Sequence, residues 1–525
     1  MISPFRSICP KDDLLGFSRS FPLLAWLIMR PQVTLLLAAC TALIFRLHSP
    51  VLALAPLCIW TALVALYLER RVIDRLLFPP FTAVTCWAVL GTGVGIPIMD
   101  WQIQNALRMT IYGVGDWHPA LLTIQLVYLG SFPFMWIGYY YGGFRKVPQM
   151  TGSALLDGMT KIMQKKIVVM GWIFFLISVL MVVISVISGL ANNRQGGGDV
   201  HEFNAVQSFL HLALAVAPKW GVLGFIFVPL LWKQGLLWQR LVVIMLLVVY
   251  FSMALVTGSR GDLMYPCCFM VAGAYFFRSS ESWKTEAVLA MLSVIGITVV
   301  FAIYVYRNST GYLTSSASDI PARYRAFRDS VLRPDPSKWR PETVFDFGYS
   351  FYGLEDAKVY ALTPYPVPHT GFLGFSAIPV TWIPTTIVKK KPRLLDSDFV
   401  VGSYNNPPNQ VIGTTISLTA DTYRRFGWAG IPVIVLIAFG LYGALVRWML
   451  TWWRHGTLWG WALLFFTMTF FWSRPFGTVL GTWWAFFYDT PKQLLATAVV
   501  CLLISKAVDL KFSRNRVHYD GEKSC

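Results

Sequence analysis

Charge is scarce in this chain. Asp, Glu, Lys and Arg make up 13% of its 525 residues, against about 25% in an ordinary soluble domain. Hydrophobic residues make up 56%. That balance excludes a soluble globular protein and places most of the length in lipid. Acids are the scarcer sign, 26 against 44 bases, for a net charge of +18. No nucleic-acid motif accompanies this excess, so nucleic acid is not an expected partner. Much of the basic charge flanks apolar runs, where it orients a chain and meets membrane lipids.

Several chemical signatures are also missing. There is no GxxxxGK[ST] loop for nucleotide phosphates and no HExxH. The eight cysteines (Cys9, Cys40, Cys58, Cys86, Cys267, Cys268, Cys501 and Cys525) show no metal-ligand spacing. The adjacent pair Cys267–Cys268 sits inside an apolar run and reads as packing. The GGG at 196–198 follows no strand, so it is a loop and not a nucleotide fingerprint. Asp396-Ser397-Asp398 matches the D-x-D of metal-dependent sugar transferases, a pattern short enough to recur by chance. No metal and no cofactor are expected. No cleavable signal peptide is expected either, because the first strong apolar run starts late and more follow it.

What is present is a series of membrane-length apolar runs. About twelve are legible, at 26–46, 51–68, 77–98, 120–141, 167–190, 208–232, 241–258, 263–277, 287–306, 428–450, 458–472 and 491–508. Arg30-Pro31 interrupts the first and Pro218-Lys219 the sixth. The expected fold is an all-α polytopic membrane protein. Residues 1–306 hold nine helices, 307–427 one large outer segment, 428–508 three more helices and 509–525 a tail, all in one integrated membrane domain.

Short loops orient it. One set carries Arg70, Arg71 and Arg75; Arg145, Lys146, Lys161, Lys165 and Lys166; Lys233 and Arg240; Arg278 and Lys284; and Arg454. The alternate set has about one base per loop: Arg108, Arg194, Arg260 and Arg474. Both termini are therefore expected in the cytoplasm. The TGSRGD turn, Thr257 to Asp262, then faces the periplasm. The outer loops hold no cysteine on this count, so no structural disulfide is expected.

The long segment 307–427 is exempt from the loop-charge rule. Within it, Asp319 to Asp335 reads as an amphipathic helix. Ile320, Tyr324, Phe327 and Val331 share a face, and Arg323, Arg325 and Arg328 spread over the rest. Its apolar face suits either lipid or protein. The stretch WIPTTIV beside Lys389, Lys390, Lys391 and Arg393 is too short to span and suits a re-entrant position. Thr414, Thr415, Ser417, Asp421, Tyr423, Arg424 and Arg425 then lead into the next span. The outer cations Arg260, Lys391, Arg393, Arg424, Arg425 and Arg474 stand out against charge-poor short loops. Guanidinium forks match phosphate oxygens, so the set points to an anion, a lipid pyrophosphate being the natural candidate.

Taken together, the TGSRG turn, the IP…KKKP segment and the closing GTTISLTADTYRRFGWAGI resemble the Wzy-type bacterial polysaccharide polymerases, over roughly residues 240 to 445. The resemblance implies a metal-independent membrane glycosyltransferase of the GT-C-like class in the bacterial inner membrane, with its active site facing the periplasm. It implies an undecaprenyl-pyrophosphate-linked oligosaccharide as substrate, polymerised onto a sugar hydroxyl of a second lipid-linked unit, and it allows a chain-length regulator as a further partner. Arg260 would grip the pyrophosphate, with Asp262 orienting it or capping the helix that follows. Arg424 or Arg425 would meet the pyrophosphate from the opposite wall, consecutive side chains pointing different ways. Lys391, Arg393, Arg474, Thr415 and Ser417 would add substrate contacts. Asp421 is the first candidate for general base, with His369 and Glu355 behind it. Asp421 and Arg425 are also spaced to pair along a helix. Trp382, Tyr404, Tyr423 and Trp428 suit sugar stacking or interfacial anchoring. The first outer loop, His48-Ser49-Pro50, lacks the acidic pair of many metal-dependent lipid-linked sugar transferases. An O-antigen ligase is the nearest alternative. A lipid-linked oligosaccharide flippase is the other, although no two-half repeat is visible.

Overall fold

A computed structural model describes residues 30–46, 49–70, 72–73, 76, 79–104, 117–147, 161–187, 220–257, 260–277, 325, 328–329, 353–375, 377–380, 404, 416–454, 457–473, 478–484, 486–487 and 490–522. Every long regular element among them is helical. Helices α1 (Pro31–Phe45), α2 (Pro50–Arg70) and α3 (Pro80–Val89) each begin at a proline, which lacks the N–H that a first turn leaves unpaired. Pro31 thus starts a helix instead of breaking one. A π-turn, Leu90–Gly95, carries α3 into α4 (Ile96–Gln104). Then follow α5 (His118–Gly142), α6 (Lys161–Ile187), α7 (Trp220–Gln234), α8 (Leu237–Thr257) and α9 (Arg260–Phe276). The last group is α10 (Gly353–Leu362), α11 (Ala377–Val380), α12 (Leu418–Arg454), α13 (Leu458–Ser473), α14 (Val479–Trp484) and α15 (Thr490–Glu522).

Among the described residues six helices are long and apolar enough to cross a membrane, within α2, α3–α4, α5, α6, α8 and α12. Shorter apolar helices lie at Pro31–Phe45, Leu223–Gln234 and Tyr265–Phe276. The chain is a multi-pass helical membrane protein. The expected spans at 458–472 and 491–508 fall on α13 and α15. The one at 287–306 lies outside the described residues, as do Pro218-Lys219 and nearly all of the amphipathic stretch 319–335.

Buried polar contacts set the packing of the bundle. Glu69, at the end of α2, has no exposed surface. Its carboxylate accepts the N–H groups of Phe81 and Thr82 at 3.0 and 2.6 Å and the Tyr139 hydroxyl at 2.7 Å. It thereby caps α3 and ties α2 to α5, satisfying the carboxylate that apolar burial would otherwise penalise. Further along, the Thr61 and Tyr128 hydroxyls meet at 2.7 Å. Val51 clusters with Leu121 and Ile124. These three levels, taken in order, make α2 and α5 run parallel. Helix α5 then lies directly on α12, because both are glycines where they cross. A Cβ on Gly138, Gly142 or Gly143 would run into the backbone around Leu436, Gly440 and Gly443. The order of these contacts makes α5 and the latter part of α12 parallel too.

Helix α12 is broken once. Gly427 has φ 67° and ψ −165°, a conformation open essentially to glycine alone. The chain turns back sharply there. A Cβ on Gly430 would lie 3.4 Å from Thr422 Cγ2, eight residues earlier, whereas eight residues of straight helix span about 12 Å. Residues 418–426 therefore form a short arm folded over the start of the long part of the helix. The expected span at 428–450 corresponds to that long part.

Candidate functional site

The arm carries the charged cluster. Ser417 caps it, its Oγ accepting the Ala420 N–H at 3.2 Å. Asp421, Arg424 and Arg425 follow, exposed by 0%, 1% and 2%. Asp421 Oδ1 accepts Nε of Arg424 at 2.9 Å and also its Nη2. Oδ2 accepts Nε of Arg425 at 3.0 Å and the backbone N–H of Val479 at 2.7 Å. The i+3 and i+4 spacings bring both guanidinium groups onto one carboxylate. The expectation that one arginine turns inward and the other away does not hold: both turn inward, to the same acid.

Breaking the helix at Gly427 leaves the carbonyls before it without their helical partners. A loop satisfies them. Thr370 N–H donates to the Arg424 carbonyl at 3.2 Å and Gly371 N–H to that of Arg425 at 3.0 Å. Arg425 returns the contact, its Nη1 donating to the Gly371 and Leu373 carbonyls at 3.1 and 2.7 Å, with its guanidinium over the Phe375 ring. His369 Nδ1 lies 3.2 Å from the Arg424 carbonyl oxygen. A carbonyl only accepts, so Nδ1 carries the proton, and in the neutral ring Nε2 keeps its lone pair. His369 is exposed.

An aromatic group flanks the cluster. Tyr423 lies 4.4 Å from the Trp428 ring and 5.1 Å from that of Tyr360, and His369 stands edge-on to it at 5.7 Å. The Tyr423 hydroxyl donates to the Thr363 carbonyl. The hydroxyls of Thr363 and Tyr404 pair at 2.8 Å. Helix α10 closes this end of the bundle, its Ala357 packing among Trp117, Ala120 and Leu121.

One acid here escaped the sequence reading. Asp356 on α10 is buried and accepts the Ser417 N–H at 2.9 Å. Burial pushes its carboxyl from 3.8 up to about 7. Its neighbour Glu355, which was a candidate base, is buried and bridged to Lys358 at 3.4 Å. Nothing in GLED marks which acid is buried, since that depends on what α10 packs against.

The structure thus brings together Asp421, Arg424, Arg425, Tyr423, Ser417 and His369. Arg260 opens α9. Lys391, Arg393, Arg474, Thr415 and Trp382 lie outside the described residues. Also outside them are Asp396 and Asp398. Among the described residues no group of His, Cys, Asp and Glu is placed to hold a metal ion.

Helices α2, α5 and α12 run in one direction within a multi-pass helical membrane protein, and the folded arm of α12 buries an arginine–carboxylate cluster. The family model for the O-antigen polysaccharide polymerase Wzy matches residues 35–323, and the chain belongs to that family. No curated protein and no solved structure matches it. The matched region ends before the arm, so the family membership rests on the helices and the site geometry stands beside it.

Proposed function

We propose that the protein polymerises undecaprenyl-pyrophosphate-linked oligosaccharide repeat units at the periplasmic face of the inner membrane, as a metal- and nucleotide-independent glycosyltransferase of the GT-C-like kind. One observation carries the site: two buried guanidinium groups share a single carboxylate. The next acid, Asp356, is held partly neutral at pH 7 by burial. Fixed, buried guanidinium groups are donors suited to an anionic leaving group. Arg260, Lys391, Arg393 and Arg474 are the further cations that would contact the pyrophosphate, with Thr415 and Ser417 as further substrate contacts.

In the reaction the bond between the sugar's anomeric carbon and the pyrophosphate oxygen breaks. The acceptor hydroxyl oxygen forms the new bond to that carbon and gives up its proton. The lipid pyrophosphate leaves as an anion that fixed guanidinium groups stabilise. Four donor contacts already occupy the oxygens of Asp421. Its role is to position the arginines. His369 Nε2 takes the proton instead. Trp428, which is exposed, offers a face for a sugar ring, and Tyr423 is buried behind it.

In this reading twelve spans leave both termini cytoplasmic, and the relative directions of α5 and α12 agree with its count of crossings between them. Helices α5 and α12 run parallel, so an odd number of crossings separates them. Helices α6 and α8 are of membrane length, the shorter apolar helices α7 and α9 would make four crossings, and the apolar run 287–306 would be a fifth.

The test is the surface-glycan ladder in cells carrying Arg260→Ala, with protein level checked on the same membranes. Loss of the ladder, with single repeat units still at the surface, is expected. Absence of all surface glycan would instead favour the ligase or flippase reading. An unchanged ladder would remove Arg260 from the chemistry.

A further inference from the structure

The loop that completes the arm is apolar where a water-facing loop is polar. No Asp, Glu, Lys or Arg occurs between Lys358 and Lys389. Within that stretch Phe372 and Leu373 form the tip of a tight turn, with Gly371 at φ 53° and Gly374 at φ 86° on either side. The two side chains are 73% and 58% exposed. Their backbone is turned the other way. The carbonyls of Thr370 and Phe372 accept the N–H groups of Leu373 and Phe375, and those of Gly371 and Leu373 both accept Nη1 of Arg425. The Thr370 and Gly371 N–H groups donate to the arm. Four consecutive carbonyls thus find partners within the protein, which a loop needs if it is to leave water.

Helix α12 supplies the depth. Along its long part Val433, Leu436, Ile437 and Ala444 are exposed on one face. Exposed tryptophans bound this apolar stripe, Trp428 at its start and Trp448 and Trp452 near its end. Trp448 lies 20 residues after Trp428. That is about 30 Å of helix, the thickness of a bilayer's hydrocarbon core. Tryptophan settles at the two membrane–water interfaces, so Trp428 marks one of them. The loop sits at the same level. The Phe372 ring is 5.0 Å from that of Phe426, two residues before Trp428. A Cβ on Gly427 would lie 3.5 Å from the His369 ring.

We infer that Phe372 and Leu373 insert into the lipid leaflet at the Trp428 end of α12, as an anchor that holds the loop and the arm at head-group level. A phenyl and an isobutyl side chain carry no polar atom, so leaving water for lipid stabilises them. The anchor also continues the lipid-facing stripe of α12 past the sharp turn at Gly427. Arg425, bonded to the carbonyls of the tip, and His369, three residues before Phe372, are thereby fixed at the depth of lipid phosphates. The anchor does not depend on the function proposed above, and its test reads depth and not product.

Leu373→Cys, in a cysteine-free background of the full-length protein, is labelled with a nitrobenzoxadiazole fluorophore and reconstituted in phosphatidylethanolamine–phosphatidylglycerol vesicles. Val433→Cys, on the exposed face of α12, gives the reference for a side chain in lipid. Phospholipids carrying a nitroxide on the acyl chain near the head group are expected to quench the Leu373→Cys label about as well as the reference, and aqueous iodide is expected to quench it little. Adding Phe372→Asp to the labelled protein is expected to reverse the pattern, with nitroxide quenching lost and iodide quenching gained, because a carboxylate is costly in lipid. Iodide quenching of Leu373→Cys without nitroxide quenching would put the tip in water and overturn the inference. Shielding from both quenchers would mean that protein or glycan covers the tip, which overturns it as well. Nitroxide quenching that Phe372→Asp leaves unchanged would show that the loop reaches lipid without this anchor, with the same result.

Discussion

Val479 donates its backbone N–H to the Asp421 carboxylate at 2.7 Å, joining α14 to the folded arm of α12 across 58 residues of sequence. That bond and the two arginine contacts make Asp421 a point where the arm and α14 meet. Removing it takes a carboxylate from two buried cations.

Asp421→Ala is therefore expected to destabilise the protein by about 3–5 kcal/mol, the usual cost of breaking a buried ion pair from one side. Asp421→Asn should retain one acceptor and lose less. Thermal denaturation in detergent measures the first effect. Product length in cells measures the second, and a positioning role predicts that activity follows stability across the two variants. An active, stable Asp421→Ala protein would rule out that role.

His369→Ala separates chemistry from structure. The ring is exposed, and the Arg424 carbonyl it faces also receives the Thr370 N–H. A stability change of about 1 kcal/mol or less is expected. The loss of a general base should lower polymerisation about 10²–10⁴-fold. A normal glycan ladder from this variant would exclude His369 as the base.

Gly427 is the hinge that folds the arm. Ala there meets only the His369 ring at 3.5 Å, so space is not the obstacle. The backbone conformation is, at about 1–3 kcal/mol. Gly427→Ala should lower the thermal midpoint and shorten the glycan ladder, by pulling the arm from the carbonyls and amides of residues 369–371. Wild-type behaviour would mean that the break tolerates a side chain.

Asp356 predicts a pH dependence of stability. Its folded value, about 7, lies above its unfolded 3.8. Ionisation is thus harder in the folded protein, and this acid imposes no cost below about pH 4. The cost grows as pH rises from there to about 7, then levels off. Asp356→Asn keeps an acceptor for the Ser417 N–H and removes the charge. Its melting temperature should vary less across that window than that of the wild type. An identical slope in both proteins would show that Asp356 is not its source.

The odd number of crossings between α5 and α12 is directly measurable. In a cysteine-free background, Ser309→Cys should react with an impermeant maleimide added to spheroplasts, and Ser279→Cys should react only after lysis. Equal labelling of the two would remove the crossing at 287–306.

The sequence alone determined the class of fold. Apolar runs of membrane length can satisfy their backbone polar groups in lipid only as helices, so α2, α5, α6 and the long part of α12 were readable from composition and period. Family character was legible too, though the matched region, 35–323, lies mainly in the spans, while the motifs that carried the resemblance ran from 240 to 445. Asp421, Arg424 and Arg425 stood out as charges beside an apolar run, and their pairing followed from helical spacing. The partners that set their chemistry did not. Val479 N–H, the carbonyls of Gly371 and Leu373, and buried Asp356 lie tens of residues away or look like ordinary positions along a helix. Only the sharp turn at Gly427 and the close glycine crossing of α5 on α12 bring them to one place, because burial and hydrogen bonding depend on what packs across from a residue and not on its neighbours in the chain.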